Sequence, residues 1–217
     1  MHFLHLLVAA ATVSAASVPE QSLRSRTACP YATSAELAFE RNAIYAAKLV
    51  PDLIPSFKPT LRVDASYPGQ KVNYGNTFTT LRRTVPEPTI SFTAELGYDP
   101  AKTNYTIFLL DPDAPNPTTP ILKDYLHLLI SDAQPVCITT QKRKTLASYM
   151  SPTPLSVAPH RYTFLVYRQP KNYVPPPSLN YAPGARNNFD LAAYVKQGGL
   201  QGPVGANYYR EGLAQAA

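Results

Sequence analysis

Short apolar runs, separated by proline, glycine and asparagine, dominate the chain. Residues 105–110 (Tyr-Thr-Ile-Phe-Leu-Leu) and 125–130 (Tyr-Leu-His-Leu-Leu-Ile) are nearly continuous apolar runs with β-branched and aromatic content, which predicts strands. Residues 160–168 (His-Arg-Tyr-Thr-Phe-Leu-Val-Tyr-Arg) predict a third. Alternation marks 61–65, ending at a Tyr67-Pro68-Gly69 turn, and 89–96, where it puts Ile90, Phe92, Ala94 and Leu96 on one face. A shorter strand is predicted over 72–77. Helical spacing shows twice. Over 34–50 apolar residues recur at Leu37, Ile44, Ala47 and Leu49, with Ser34 as N-cap and Pro51 as the stop. Over 190–197 a helix starts from Asn188 or Phe189 and ends at Gly198-Gly199. Residues 52–59, 97–102 and 172–184 read as loops, 131–149 as an irregular connection, and 200–210 as a short element carrying Tyr208 and Tyr209. Many strands, few helices and no strand–helix alternation predict a mostly β protein, an antiparallel sandwich with peripheral helices.

Composition agrees with that class. The 217 residues are 45% hydrophobic and 16% charged, with 23 prolines, which suits one loop-rich globular domain. No internal repeat or domain boundary is visible across 33–217. Residues 1–16 carry no Lys, Arg, Asp or Glu; an apolar core at 3–11 is followed by small residues at 14–16. That is the form of a secretory signal peptide, too short for a membrane span, with cleavage expected near Ala16. Residues 17–32 are polar and aperiodic, the pattern of a mobile N-terminal segment.

Export changes the reading of other residues. Cys29 and Cys137, the two cysteines, are expected to form a disulfide in an oxidising compartment, free buried thiols being the alternative. Asn104-Tyr-Thr106 is an N-glycosylation sequon at a turn-to-strand junction. The net charge of +6 favours anionic partners, phosphate groups or membrane surfaces. Lys142-Arg143-Lys144 is the one tight basic run and reads as a solvated loop; no nucleic-acid-binding module is present.

Candidate chemistry gathers at Asp111-Pro-Asp-Ala-Pro-Asn-Pro117, between the first two strongly predicted strands. Asp111 and Asp113 each precede a proline, which fixes backbone geometry and excludes the helical region before it. The loop is thus a stiff carrier of two carboxylates, or simply a turn whose acids cap nearby amides. His127 lies inside an apolar strand and needs a polar partner if buried. His160 opens a strand after the proline loop at 150–154. One Asp and two His can converge on an anion, with Asp fixing the imidazoles, or form a two-His-one-carboxylate metal site; spacing does not separate the two. The absence of G-x-S-x-G and H-E-x-x-H ranks a metal-dependent enzyme lowest.

These motifs in this order, Asp111-Pro-Asp-Ala-Pro115, Tyr125-Leu-His127, Tyr149-Met-Ser-Pro-Thr-Pro154 and His160-Arg-Tyr162, resemble the phosphatidylethanolamine-binding protein (PEBP) family. Arg186-Asn-Asn-Phe-Asp190, Gly202-Pro-Val-Gly-Ala206 and Tyr208-Tyr209 extend the resemblance over roughly 61–210. It implies a Greek-key-type β-sandwich with a small pocket at one end for phosphate or phospholipid headgroups. Asp111, Asp113, His127, His160 and Tyr162 would line it, Pro115 and Pro152 would shape its walls, and Tyr208 or Tyr209 would gate its mouth. The acids would orient the imidazoles, and a bound anion would favour protonated histidine. Ser151, the spacing between Pro154 and His160, and Gly205-Ala-Asn207 depart from the family pattern and bear on ligand size and mouth shape. The resemblance also implies alternatives to lipid binding: inhibition of a serine peptidase such as a carboxypeptidase, or regulation of a protein partner. The sequence reading is a secreted binding protein with no cofactor and no catalysis, and with peripheral membrane contact as one partner class.

Overall fold

The computed structural model describes residues 29–79, 81–177 and 185–213. The expected signal peptide (1–16) and residues 17–28 lie outside the described residues. The rest of the expected N-terminal segment is tied down: Cys29 is bonded to Cys137, and Tyr31 bridges Ala94.

Among the described residues nine strands form two sheets. β1 (Val63–Tyr67) lies between β2 (Gln70–Lys71) and β4 (Thr89–Phe92). The larger sheet contains β3 (Thr77–Phe78), β5 (Tyr105–Asp111), β6 (Tyr125–Ala133), β7 (Lys144–Ala147), β8 (His160–Arg168) and β9 (Gln201–Glu211). Its spatial order is β3-β9-β8-β5-β6-β7. The antiparallel block β8-β5-β6-β7 is a Greek key: three consecutive strands, with the fourth returning beside the first. The sandwich is not wholly antiparallel, because the edge strand β3 runs parallel to β9.

The larger sheet explains its own sequence. One face packs on the small sheet through Tyr105, Ile107, Leu109 and Phe164 against Val63, Ile90 and Phe92. The other packs under helices through Phe108, Leu110, Leu129 and Leu165 against Ile44, Leu49 and Tyr194. With both faces covered, β5 is buried at every residue, so its run is continuously apolar rather than alternating.

The covering helices are α1 (Ser34–Ala46), a kinked turn α2 (Leu49–Asp52) and α3 (Leu191–Gly198). Thr33, not Ser34, caps α1, in a reciprocal capping box with Glu36. Helix α1 stops at Ala46, ahead of Lys48, which takes the left-handed conformation; Pro51 lies inside the next turn instead of ending the first helix. Asp190 caps α3 by accepting from Ala193, in place of Asn188 or Phe189, and Gly199 closes it in the left-handed region.

Other corrections follow from long-range packing. Of residues 72–77 only Thr77 is in a strand, as the first residue of β3; before it Asn73 and Asn76 bond each other around Gly75. A Cβ on Gly75 would fall 2.3 Å from the Tyr208 hydroxyl, at a φ of 98° that other residues rarely adopt. β4 ends at Phe92, leaving Leu96 79% exposed, because Ala94 pairs with the N-terminal segment. The connection over 131–149 is not irregular throughout: β6 runs on to Ala133 and β7 occupies Lys144–Ala147. The short terminal element is an eleven-residue strand.

Candidate functional site

The Greek key brings the C-terminal end of β5, the start of β6 and the start of β8 to one end of the sandwich. A cavity of about 150 Å³ opens there. That is below the ~300–1,000 Å³ typical of pockets for drug-sized ligands, so it suits a small group. Asp111, His127, His160 and Tyr162 contribute from the strands, Ala114, Pro115 and Leu122 from one loop, and Met150, Ser151, Thr153, Pro154 and Leu155 from another. Tyr125 completes the wall.

His127 gets there through an irregularity in the ladder. Leu109 pairs with Leu128 and Leu110 with Leu126, which leaves His127 as the extra residue of a β-bulge. Bulges re-aim a side chain, and this one turns the imidazole against Tyr162, 5.2 Å between ring centroids. Nδ1 of His127 lies 2.7 Å from the Met150 carbonyl, an acceptor only, so Nδ1 carries the proton and donates. Nε2 has no partner among the described residues. Burial pulls the ring below its ordinary pKa; Arg186 and His160 add to the effect, and the Met150 bond and Asp111 oppose it. The expectation of a protonated His127 facing an anion therefore meets an environment that favours the neutral ring.

His160 differs. Its Nδ1 lies 2.8 Å from Asp111 Oδ2 and its Nε2 3.1 Å from Ser156 Oγ, and the ring is 2% exposed. Asp111 Oδ1 accepts from the Asp113 amide at 2.8 Å, the loop stiffening its own acid. The Asp111–His160–Ser156 series has the connectivity of a hydrolase triad. However, Ser156 Oγ donates its only proton to the Ala158 carbonyl at 2.7 Å, so toward His160 it accepts. Ser156 also stays outside the cavity wall. It clamps the ring rather than waiting for deprotonation.

Several expected roles change. Asp113 orients no imidazole. Its carboxylate takes the Arg161 guanidinium at 2.7 and 2.9 Å and the Arg161 amide at 2.8 Å, anchoring the loop to β8. Burial works against the Arg161 charge, but Asp113 and Asp52 hold it above the ordinary arginine value. Pro115 lines the cavity; Pro152 is buried but does not. Neither terminal tyrosine gates the mouth. Tyr208 packs under the helices, and Tyr209 lies between the sheets, stacked 5.2 Å from Tyr162 and bonded to Tyr67. Successive strand residues face opposite sides, and both sides of β9 are covered.

With this geometry in view, likeness to known proteins is informative. A family model described as phosphatidylethanolamine-binding protein matches residues 68–209. The chain belongs to the phosphatidylethanolamine-binding protein family. CEN-like protein 1 of Nicotiana tabacum is 27% identical over 171 residues, 79% of this chain and 92% of that protein. Protein FLOWERING LOCUS T of Arabidopsis thaliana is 28% identical, over 78% of this chain and 90% of its own length. Among solved structures, a carboxypeptidase Y inhibitor complexed with the cognate proteinase superposes with a TM-score of 0.68 at 24% identity, covering 82% of this chain and 96% of that one. A phosphatidylethanolamine-binding protein from Plasmodium vivax gives 0.66 at 23% identity, over 79% of this chain and 96% of its own. At these identities the structural likeness establishes the fold.

In this PEBP chain the site also depends on residues the motifs left unassigned. Arg186, 2% exposed, donates to the carbonyls of Leu126 and His127, each at 3.3 Å, and to that of Ser148 at 2.7 Å. Among the described residues it has no carboxylate partner, its Nε is unbonded, and burial lowers its pKa. Nearby, burial pushes Asp124 up to about 6 against the pull of Lys123, with Asp111 and Asp113 adding to the rise. Tyr125 donates to the Met150 sulfur at 3.0 Å. The Tyr162 hydroxyl has no partner among the described residues, and burial, with Asp111 and Glu211, pushes its pKa up, keeping it a neutral donor. Among the described residues no three His, Cys, Asp or Glu are grouped to hold a metal, since Asp111 and His160 bond each other. An Arg in a loop gives no sequence signal for a carbonyl cage some sixty residues away.

Proposed function

We propose that this chain is a secreted binding protein whose end-of-sandwich cavity takes a phosphoryl anion, free or on a phospholipid headgroup, and that it is not an enzyme. One observation carries the reading. Tyr162 and His127 line the cavity, the Tyr162 hydroxyl and His127 Nε2 without partners among the described residues, beside a carboxylate already paired with His160. The unpaired Arg186 guanidinium beneath them adds positive charge in a poorly solvated place, where it counts for more than in water. The Cys29–Cys137 disulfide supports an oxidising destination, in which Asn104, half-buried at the entry to β5, would carry the glycan of its sequon. Leu155 in the cavity wall stands 76% exposed and Ile121, the chain neighbour of the wall residue Leu122, 68%, which supports contact with a lipid surface. Calorimetry with inorganic phosphate and with headgroup diesters tests the reading, alongside native mass spectrometry of secreted material. Binding that His127→Ala and Tyr162→Phe both weaken is expected; no phosphoryl binding at any pH would sink it.

A second reading, inhibition of a carboxypeptidase, draws on the likeness to the carboxypeptidase Y inhibitor. Carboxypeptidase Y assayed with and without the protein separates the two: unchanged peptidase activity removes this reading and leaves the first intact.

A further inference from the structure

We propose that the exposed run Lys142-Arg143-Lys144 is a processing site: an endopeptidase that reads paired basic residues hydrolyses the Arg143–Lys144 bond during export and leaves a two-chain protein. This rests on the secretion reading above, since export is what brings the chain to such a peptidase.

The run is presented rather than packed. Residues 139–145 are exposed throughout, and 139–143 connect β6 to β7, the edge strand of the larger sheet. Gln141 staples the base of this loop. Its Oε1 accepts from the Gln134 amide at 3.0 Å, and its Nε2 donates to the carbonyls of Pro135 and Ile138 at 3.3 and 2.7 Å. Past that staple, Lys142 and Arg143 have no hydrogen bond or ion pair among the described residues. Lys144 is paired with Asp132 at 3.3 Å, yet its side chain stays 74% exposed. Endopeptidases take their substrates as extended strands, and adjacent cations fit neighbouring subsites lined with carboxylates. Residues 139–143 form no helix, strand or backbone–backbone hydrogen bond among the described residues, and the outer side of β7 has no neighbour in the sheet.

A second pair, Arg82-Arg83, has the charge without the presentation. It lies in the 3-10 turn Leu81–Thr84, and Arg83 donates to the Gly69 carbonyl at 3.3 Å. Thr84, beyond the bond to be cut, is 0% exposed; its hydroxyl bonds Glu211 and its carbonyl takes the Tyr149 hydroxyl. Cleavage there must wait for local unfolding. A lipid surface fits Lys142-Arg143-Lys144 less well. Sites for anionic lipid gather about four to eight Lys or Arg, and one of these three is already paired.

Hydrolysis consumes one water: its oxygen joins the Arg143 carbonyl carbon as a carboxylate, and the Lys144 nitrogen leaves as an ammonium group. Both cysteines precede the cut, so the disulfide does not join the two chains. The sheet does, because β8 after the cut pairs with β5 before it. The product stays assembled while folded and parts in denaturant without a reductant.

The experiment is expression of the full chain with its own leader in a secreting eukaryotic cell. Protein from the medium is read by denaturing mass spectrometry and N-terminal sequencing. Two chains are expected, one beginning at Lys144, together heavier than the uncut chain by one water. Arg143→Ala, and cells lacking the paired-basic endopeptidase, should export a single chain. Uncut protein from those cells is then treated with that endopeptidase: cleavage after Arg143 should outrun cleavage after Arg83 at least about tenfold, since the second requires opening of the fold. Secreted protein that is intact at Arg143–Lys144 overturns the proposal and leaves secretion standing. Preferential cleavage after Arg83 also overturns it, as does a cut that persists in the deficient cells. So does binding of uncut protein to phosphatidylserine vesicles that Arg143→Ala abolishes, which gives the run to a membrane. Protein that never reaches the medium removes the secretion reading and the proposal together.

Discussion

The two histidines of the cavity sit about one strand apart and are handled in opposite ways. His160 begins β8 directly after a proline loop, and both ring nitrogens are fixed, by the Asp111 carboxylate and the Ser156 hydroxyl. His127 occupies a bulge within β6, and one nitrogen is fixed by a backbone carbonyl while the other is open. The first arrangement holds the loop, the strand and a carboxylate together. The second leaves a single acceptor facing space. A residue whose hydrogen-bonding capacity is exhausted is a brace; one with capacity left is a contact for something else. By that measure His160 shapes the cavity and His127 meets what enters it.

The largest effect expected from breaking the comparison is on the braced side. Asp111→Asn removes the charge from a buried pair and weakens the acceptor of the Asp113 amide. Breaking such a pair costs about 3–5 kcal/mol, read from urea unfolding. A loss well under 1 kcal/mol would mean that the pair does not brace the fold. Next is Arg186→Met, which removes one donor from each of three carbonyls, two of them on β6 at the bulge, the His127 carbonyl keeping the Met150 amide. About 1–3 kcal/mol of destabilisation is expected. Because Arg186 helps depress the His127 pKa, NMR titration should find that pKa higher in the variant. An unchanged or lower value would remove Arg186 from the electrostatics of the site.

How much of this was legible in the sequence differs between the two histidines for the same reason. The Asp111–Pro117 loop and His160 announce themselves locally: prolines fix the backbone beside each acid, and the histidine follows a proline loop at a strand start. The family motifs add Tyr162 and His127. What was not legible is long-range. The bulge at His127 depends on register against β5, which no local pattern encodes. Arg186 bonds to residues some sixty positions earlier, and Asp113 to Arg161 forty-eight positions later. Gly202, Pro203 and Gly205 weaken the strand signal of β9, so the sequence predicts only a short element there. Yet Gly205 is required there: a Cβ would approach Leu61 Cδ1 to 2.4 Å. The same strand misled about Tyr208 and Tyr209, since an aromatic pair near the C-terminus looks like a lid until both faces of β9 prove to be covered.

A smaller effect sharpens the account of His160. Ser156→Ala removes an acceptor from one ring nitrogen and should cost about 0.5–1.5 kcal/mol, measured by thermal or urea unfolding. Were Ser156 a nucleophile, the unaltered protein would hydrolyse activated esters and the variant would not. The direction of its hydroxyl proton, toward Ala158, predicts no such activity to lose.

The smallest effect concerns stability against pH, and its sign separates His127 in the cavity wall from Glu211 on β9, outside that wall. The folded state lowers the pKa of His127 below its ordinary 6.5, so on acidification the unfolded chain takes up that proton first. Stability then rises with pH wherever the unfolded state binds more protons. The contribution of His127 is therefore complete above 6.5 and is lost as pH falls below it. Glu211 acts in the opposite sense. Burial, opposed by its bond from Thr84, pushes it up to about 7 from 4.5, so folding holds a proton that the unfolded chain has released. Its contribution is present at low pH and is lost as pH rises from 4.5 through about 7. His127→Gln should flatten the loss of stability below pH 6.5, and Glu211→Gln should flatten the loss between 4.5 and 7, each by about 1 kcal/mol or less after relaxation of the site. Unfolding free energies measured across that range for both variants discriminate the cases. If His127→Gln instead steepens the acid limb, the ring is charged in the folded protein, and the open nitrogen that distinguishes it from His160 is a donor rather than an acceptor.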